Sequence, residues 1–161
     1  MIRLSQAATP AAIEAARTLF KEYGASLGFS LCFQSFDQEL ASLPGDYAPP
    51  GGRLLLAHWV DQDEDLLAGC VALHTLDDGL CEMKRLYVRP GFRGKRIGQA
   101  LAAAAVEEAA EIGYRGMRLD TVPSVMATAV AMYRQMGFRE IPAYRVNPIE
   151  GAIYMELELN A

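Results

Sequence analysis

The chain has 161 residues, 52% of them hydrophobic and 22% charged, with 15 Lys plus Arg against 20 Asp plus Glu and a net charge of −5. That balance suits one folded domain over 1–161 and excludes a disordered chain. The acidic excess argues against general nucleic-acid affinity, and no apolar run approaches the roughly 18–20 residues of a membrane span.

In chain order, Ile2–Gln6 reads as a short strand. Thr9 followed by Pro10 is an N-cap with proline in the first helical turn, opening a helix to about Leu27 with Ile13, Leu19, Phe20 and Tyr23 facing inward. The start is amphipathic and carries Glu14, unlike a signal or transit peptide. A short helix capped by Ser35 is expected next, then a loop over Pro44–Gly52. Two apolar runs, Arg53–Val60 and Leu66–Leu76, have strand length and flank an acidic turn. A hairpin signal at Asp77–Gly79 leads into a third strand, Leu80–Val88. A helix follows from about Gly94 to Ile112, with Ile97, Leu101, Ala104 and Ala105 on one face and Gln99, Glu107 and Glu111 on the other. Gly116–Val122 is a strand, Ser124–Phe138 a helix stopped by Gly137, and Ala152–Leu159 a last strand. Such an order predicts a mixed sheet with helices on both faces.

Charge is distributed unevenly. From Met83 to Val106 there is no carboxylate, and six of the fifteen cations fall between Lys84 and Arg96. Arg93, Lys95 and Arg96 crowd the start of a helix whose far half carries Glu107, Glu108 and Glu111, the reverse of what the helix dipole favours. A local rule broken this way points to function. Its natural remedy is a bound polyanion, most simply phosphate, cradled by backbone N–H groups beside Gly91, Gly94 and Gly98. The P-loop and dinucleotide glycine patterns are both absent.

The stretch VRPGFRGKRIGQAL (Val88–Leu101), preceded by CEMKRLY, resembles the acetyl-CoA site of the GNAT superfamily of N-acyltransferases, whose signature is Q/R-x-x-G-x-G/A between a strand and a helix. Arg93 fills the first position and Gly98 the last, while Arg96 stands where the signature has glycine; an ordinary right-handed helix start would tolerate it. AVAMYRQMGF (Ala129–Phe138) resembles a second motif of that family. Met126 occupies a position where the family often has asparagine.

The resemblance implies a mixed, mostly antiparallel α/β fold of about seven strands flanked by about four helices. It also implies an N-acetyltransferase moving an acetyl group from acetyl-CoA to a primary amine by direct attack. The pantetheine arm is then expected along Leu86, Tyr87 and Val88, with the pyrophosphate on Arg93, Gly94, Lys95, Arg96, Ile97, Gly98 and Gln99. Tyr133 matches the family's tyrosine acid. Its packing alternative is a core aromatic on an amphipathic helix.

Glu82, a carboxylate on an apolar strand, is the leading base, directly or through water. A structural pairing with a neighbour such as Arg118 is the alternative, and His74 is a second base candidate. Phe29, Phe33 and Tyr144 are expected at the acceptor pocket, suiting a small cationic amine, an amino acid or a peptide. A non-catalytic acetyl-CoA-binding module of the same fold is the other reading.

No metal is expected, since His58, His74 and the three cysteines lack zinc spacing. Cys32, Cys70 and Cys81 read as reduced thiols, consistent with a cytoplasmic protein. Trp59 reads as packing. The last strand is expected at a sheet edge, which suits a homodimer.

Overall fold

The computed structural model describes residues 1–28, 35–77 and 79–159, with backbone only at Val125. Along the chain run β1 (Ile2–Gln6), α1 (Pro10–Ser26), α2 (Phe36–Ser42), β2 (Arg53–Asp61), β3 (Glu64–Asp77) and β4 (Leu80–Val88). They are followed by α3 (Ile97–Ile112), β5 (Gly116–Thr121), α4 (Pro123–Met136), β6 (Arg139–Ile141) and β7 (Ile153–Glu158). The strands form one sheet in the order β1-β2-β3-β4-β5-β7-β6. Every pairing is antiparallel except β4 with β5. The mixed sheet with helices on both faces is what the sequence predicted.

Each face carries its own core. Leu19 and Phe20 of α1 pack with Leu54, Leu56, Cys70 and Tyr87 on one side. Ile97, Leu101 and Ala105 of α3 pack with Leu55, Val71, Met83, Met117 and, from α4, Tyr133 on the other. Alternation explains the division, since consecutive strand residues point to opposite faces and both faces are covered. The Thr9 hydroxyl accepts from the Ala12 N–H at 3.1 Å, as its place before Pro10 predicted. Gly113 and Gly137, both left-handed, end α3 and α4. No described helix is long and apolar enough to cross a membrane.

Three expectations need correction. Ser35 stands before α2 in a left-handed conformation and makes no side-chain cap, so α2 begins without that help. Arg96, expected right-handed, has φ 62°. The last strand is not an edge. β7 lies between β5 and β6, and the three-residue β6, too short to show a hydrophobic period, covers it. The edge argument for a homodimer falls with it.

Candidate functional site

The central opening of the sheet follows from one irregularity. β4 pairs with β3 along its length, but its register slips between Cys70↔Tyr87 and Ala72↔Lys84, so β4 holds one residue more than β3 there. Arg85 occupies this bulge with φ 63°, a backbone state costing a non-glycine residue about 1 kcal/mol or more. The bulge breaks alternation. Lys84 and Arg85 both face the α1–α2 side, before Leu86 returns to the α3 side. What holds the strain is a two-pronged bond from the Arg85 guanidinium to Glu39 at 2.8 and 2.9 Å, with Phe36 stacked 5.0 Å away.

On its other side β4 pairs with β5 only from Leu80 to Glu82, opposite Gly116 to Arg118. Beyond Glu82 the two strands part, and a cleft of about 1000 Å³ opens between them. Its wall includes Met83 through Val88, whose hydrogen-bonding edge toward β5 has no strand partner among the described residues. Gly69 on β3 lets this wall sit close, for a Cβ there would lie 2.5 Å from the Tyr87 carbonyl oxygen.

At one end of the cleft stands the start of α3. The first intrahelical bond runs from the Ala100 N–H to the Arg96 carbonyl, so the N–H groups of Ile97, Gly98 and Gln99 have no partner within the helix. Gly94, at φ 87°, turns the chain into this position. Arg93, Gly94, Arg96, Ile97, Gly98 and Gln99 all line the cleft. Leu86, Tyr87 and Val88 line it too. Lys95 does not. Its ammonium sits 4.5 Å from the centre of the Trp59 ring, so Trp59 does more than fill space.

The six cations of the basic stretch thus divide by task. Arg85 is committed to Glu39, and Arg89 to Glu22 at 2.8 Å. Lys95 lies on Trp59 and Lys84 faces Glu82. Arg93 and Arg96 are left beside the free N–H groups, with Arg93 Nε donating to the Val88 carbonyl at 3.2 Å.

Tyr133 reaches the cleft from α4, and only 7% of it is exposed. Among the described residues its hydroxyl has no hydrogen-bond partner. Burial pushes its ionisation upward, so the phenol keeps its proton at neutral pH. Met126 also lines the cleft, at a break in α4, accepting a weak bond from the Thr121 hydroxyl at 3.3 Å.

Glu82 is fully buried and does not line the cleft. One carboxylate oxygen meets His74 Nε2 at 2.9 Å and accepts from Arg145 Nη2 at 2.6 Å; the other accepts from the Tyr144 hydroxyl at 2.6 Å. Lys84 Nζ lies 3.9 Å away. Burial alone would raise the pKa, but His74, Lys84, Tyr144 and Arg145 together bring it down to about 2. The structural pairing weighed for Glu82 is therefore present, with other partners than the one named. Arg118, its neighbour on β5, bonds Glu156 at 2.7 Å instead. His74 is tied to Glu82. Tyr144 does not line the cleft either, because its hydroxyl serves Glu82. Phe29 and Phe33, like Cys32, lie outside the described residues. Cys70 and Cys81 are buried free thiols, raised by burial.

Four residues escaped the sequence reading. Asp120 lines the cleft at the end of β5 and accepts from the Asn147 side-chain amide at 3.1 Å. Lys84 lines the opposite wall, and Arg145 clamps Glu82 from a distant loop. Asp120 and Lys84 carried a signal like that of Glu82, a charged residue inside a strand. Asn147 and Arg145 carried none.

The chain is similar to known acetyltransferases in sequence and in fold. The model of the Acetyltransferase (GNAT) family matches residues 15–138. An uncharacterized N-acetyltransferase of Schizosaccharomyces pombe is 37% identical over 99% of this chain and 96% of its own. The uncharacterized N-acetyltransferase YjgM of Escherichia coli is 31% identical, over 88% and 82% respectively. Among solved structures, a GNAT-family acetyltransferase of Staphylococcus aureus superposes with a TM-score of 0.76 at 20% identity, covering 99% of this chain and 100% of that one. A phosphinothricin acetyltransferase of Sinorhizobium meliloti, in complex with AcCoA, gives 0.69 at 18% identity, covering 98% and 88%.

Proposed function

The chain belongs to the acetyltransferase (GNAT) family, and on that premise we propose that it transfers an acetyl group from acetyl-CoA to a primary amine of a small molecule or peptide. The observation that carries the reading is the cleft itself. An unpaired strand edge from Met83 to Val88 runs toward a helix start whose first N–H groups have no helical partner and whose Arg93 and Arg96 hold no carboxylate among the described residues. An extended amide-bearing arm can pair with such an edge like an added strand, and a pyrophosphate fits the helix start. A Cβ on Gly98 would approach Val88 Cγ2 no closer than 3.6 Å, so its absence leaves space on the cleft side rather than relieving a clash.

The chemistry asks for three tasks. Main-chain N–H groups at the bulge on β4 can polarise the thioester carbonyl and hold the charge that develops on its oxygen. Tyr133, kept protonated by burial, can give its proton to the departing thiolate. The attacking amine arrives as an ammonium and must lose a proton. Asp120 is the carboxylate on the cleft wall that can attract it. Glu82, with a pKa of about 2 and both oxygens taken by donors, is a weak proton acceptor at neutral pH. Its role is to hold His74, Tyr144 and Arg145 together behind the cleft wall, while water in the cleft takes the proton.

The test is release of CoA thiol with acetyl-CoA and a panel of amines: polyamines, free amino acids and peptide N-termini. Amine-dependent release that Tyr133→Phe slows supports the reading. Acetyl-CoA binding without release on any amine would favour the non-catalytic module. A cytoplasmic location belongs to the same proposal, checked by fractionation, while a homodimer, now without the edge argument, is a question for sedimentation.

A further inference from the structure

Three lysines occur in the chain: Lys21, Lys84 and Lys95. Lys21 is on the exposed face of α1 and Lys95 lies on Trp59. Only Lys84 lines the β4–β5 cleft, with 8% of its side chain exposed. It stands two residues beyond the last β4–β5 pair, at the bulge where the open strand edge begins. A primary amine is therefore built into the wall of a cleft shaped for an acetyl donor and an amine acceptor.

We propose that Lys84 is a self-acetylation site, accepting the acetyl group from acetyl-CoA bound in the cleft when no external amine occupies the acceptor side. The Lys84 ammonium first loses one proton to water. The neutral nitrogen then attacks the thioester carbon, a C–N bond forms and the C–S bond breaks. Of the amine's two remaining protons, one stays on the amide and the other ends on the departing sulfur, giving acetyl-lysine and free CoA. The inference rests on the reading that acetyl-CoA binds this cleft.

The surroundings suit the step. Facing Lys84 are Glu82 and Arg85 from β4, Asp120 from β5 and Arg145 from the segment before β7. Burial, reinforced by Arg85 and Arg145 and opposed by Glu82 and Asp120, lowers its pKa to about 8, against 10.5 for an ordinary lysine. The neutral amine is therefore reached at mildly alkaline pH. Acetylation removes the positive charge opposite Glu82 and Asp120 and fills part of the cleft, so the modified protein is expected to turn over more slowly.

The experiment is incubation with acetyl-CoA alone, proteolysis, and mass analysis of the peptides carrying each lysine, with thermal unfolding in acetyl-CoA run in parallel. Lys84 is expected to gain one acetyl group at least about tenfold faster than Lys21 or Lys95, because a bound donor acts at high effective concentration. The rate is expected to climb with pH through about 8 as the ammonium deprotonates, then level. Lys84→Arg keeps the charge and should leave the peptide unlabelled while the protein still melts higher with acetyl-CoA. A melting shift with Lys84 unlabelled, or labelled no faster than the exposed lysines, overturns this proposal and leaves the cofactor site standing. Absence of both the shift and the label overturns the cofactor reading and this proposal together.

Discussion

Two charge-rich regions meet on β4, and they handle charge in opposite ways. Around Glu82 every oxygen is met: His74, Tyr144 and Arg145 close on a carboxylate with no exposed surface. At the start of α3, Arg93, Arg96 and three N–H groups with no bond among the described residues face the cleft, with no carboxylate among them. The first arrangement is complete without a ligand, as a buried charge must be to persist. The second is electrostatically incomplete, which a protein tolerates at a solvent-lined cleft when an anion is to supply the missing charge. A closed cluster contributes to stability and an open one to binding, so substitutions in the two should separate.

The largest expected separation is at Tyr133, which belongs to neither cluster. Tyr133→Phe keeps the ring packed near Phe138, so the melting temperature should hold. Turnover with the best amine should fall by about 10²–10⁴, the usual worth of a positioned acid. Equal turnover in the variant would return Tyr133 to the role of a core aromatic.

Glu82→Gln should cost stability instead. With a pKa of about 2 against 4.5, the carboxylate contributes on the order of 3 kcal/mol at neutral pH. Because the folded pKa is the lower one, that contribution is present above 4.5 and is lost as pH falls toward 2. Urea unfolding should therefore show a gap between wild type and variant at neutral pH that narrows in acid. A constant gap would mean that the charge of Glu82 is not what matters.

Arg93→Ala with Arg96→Ala should behave in the reverse manner, with unfolding within about 0.5 kcal/mol of wild type, as for surface changes. Acetyl-CoA affinity should fall by about tenfold to a hundredfold, since charged hydrogen bonds are worth about 1.5–3 kcal/mol. Lys95→Ala should do less, because Lys95 rests on Trp59 outside the cleft. Gly94→Ala is expected to lower stability in urea unfolding by about 1 kcal/mol, the cost of a side chain at φ 87°, with a smaller loss of acetyl-CoA affinity than the arginine pair.

The same contrast explains what could be read from the sequence. The cradle is local, for Arg93 to Gln99 is one turn and the start of one helix. Its charge pattern and the order of elements around it were visible in sequence, although the left-handed state of Arg96 was not. The Glu82 cluster is assembled across the fold, with Tyr144 and Arg145 standing 62 and 63 residues away. Nothing near Glu82 named them, and the neighbour that sequence suggested, Arg118, is taken by Glu156. Arg89 likewise finds Glu22 across 67 residues, so a stretch that looked like one basic patch holds structural and free cations together. β6 was missed because three residues cannot display a period.

The most direct measurement is thermal unfolding of the wild type and the Arg93→Ala/Arg96→Ala variant with acetyl-CoA titrated in. A ligand that binds only the folded state adds about 2.7 kcal/mol at a hundred times its Kd, roughly 5–10 °C for a chain of this size. That rise is expected for the wild type, and in the variant only at much higher acetyl-CoA. An unchanged melting temperature at millimolar acetyl-CoA, or an equal shift in the two proteins, would contradict it.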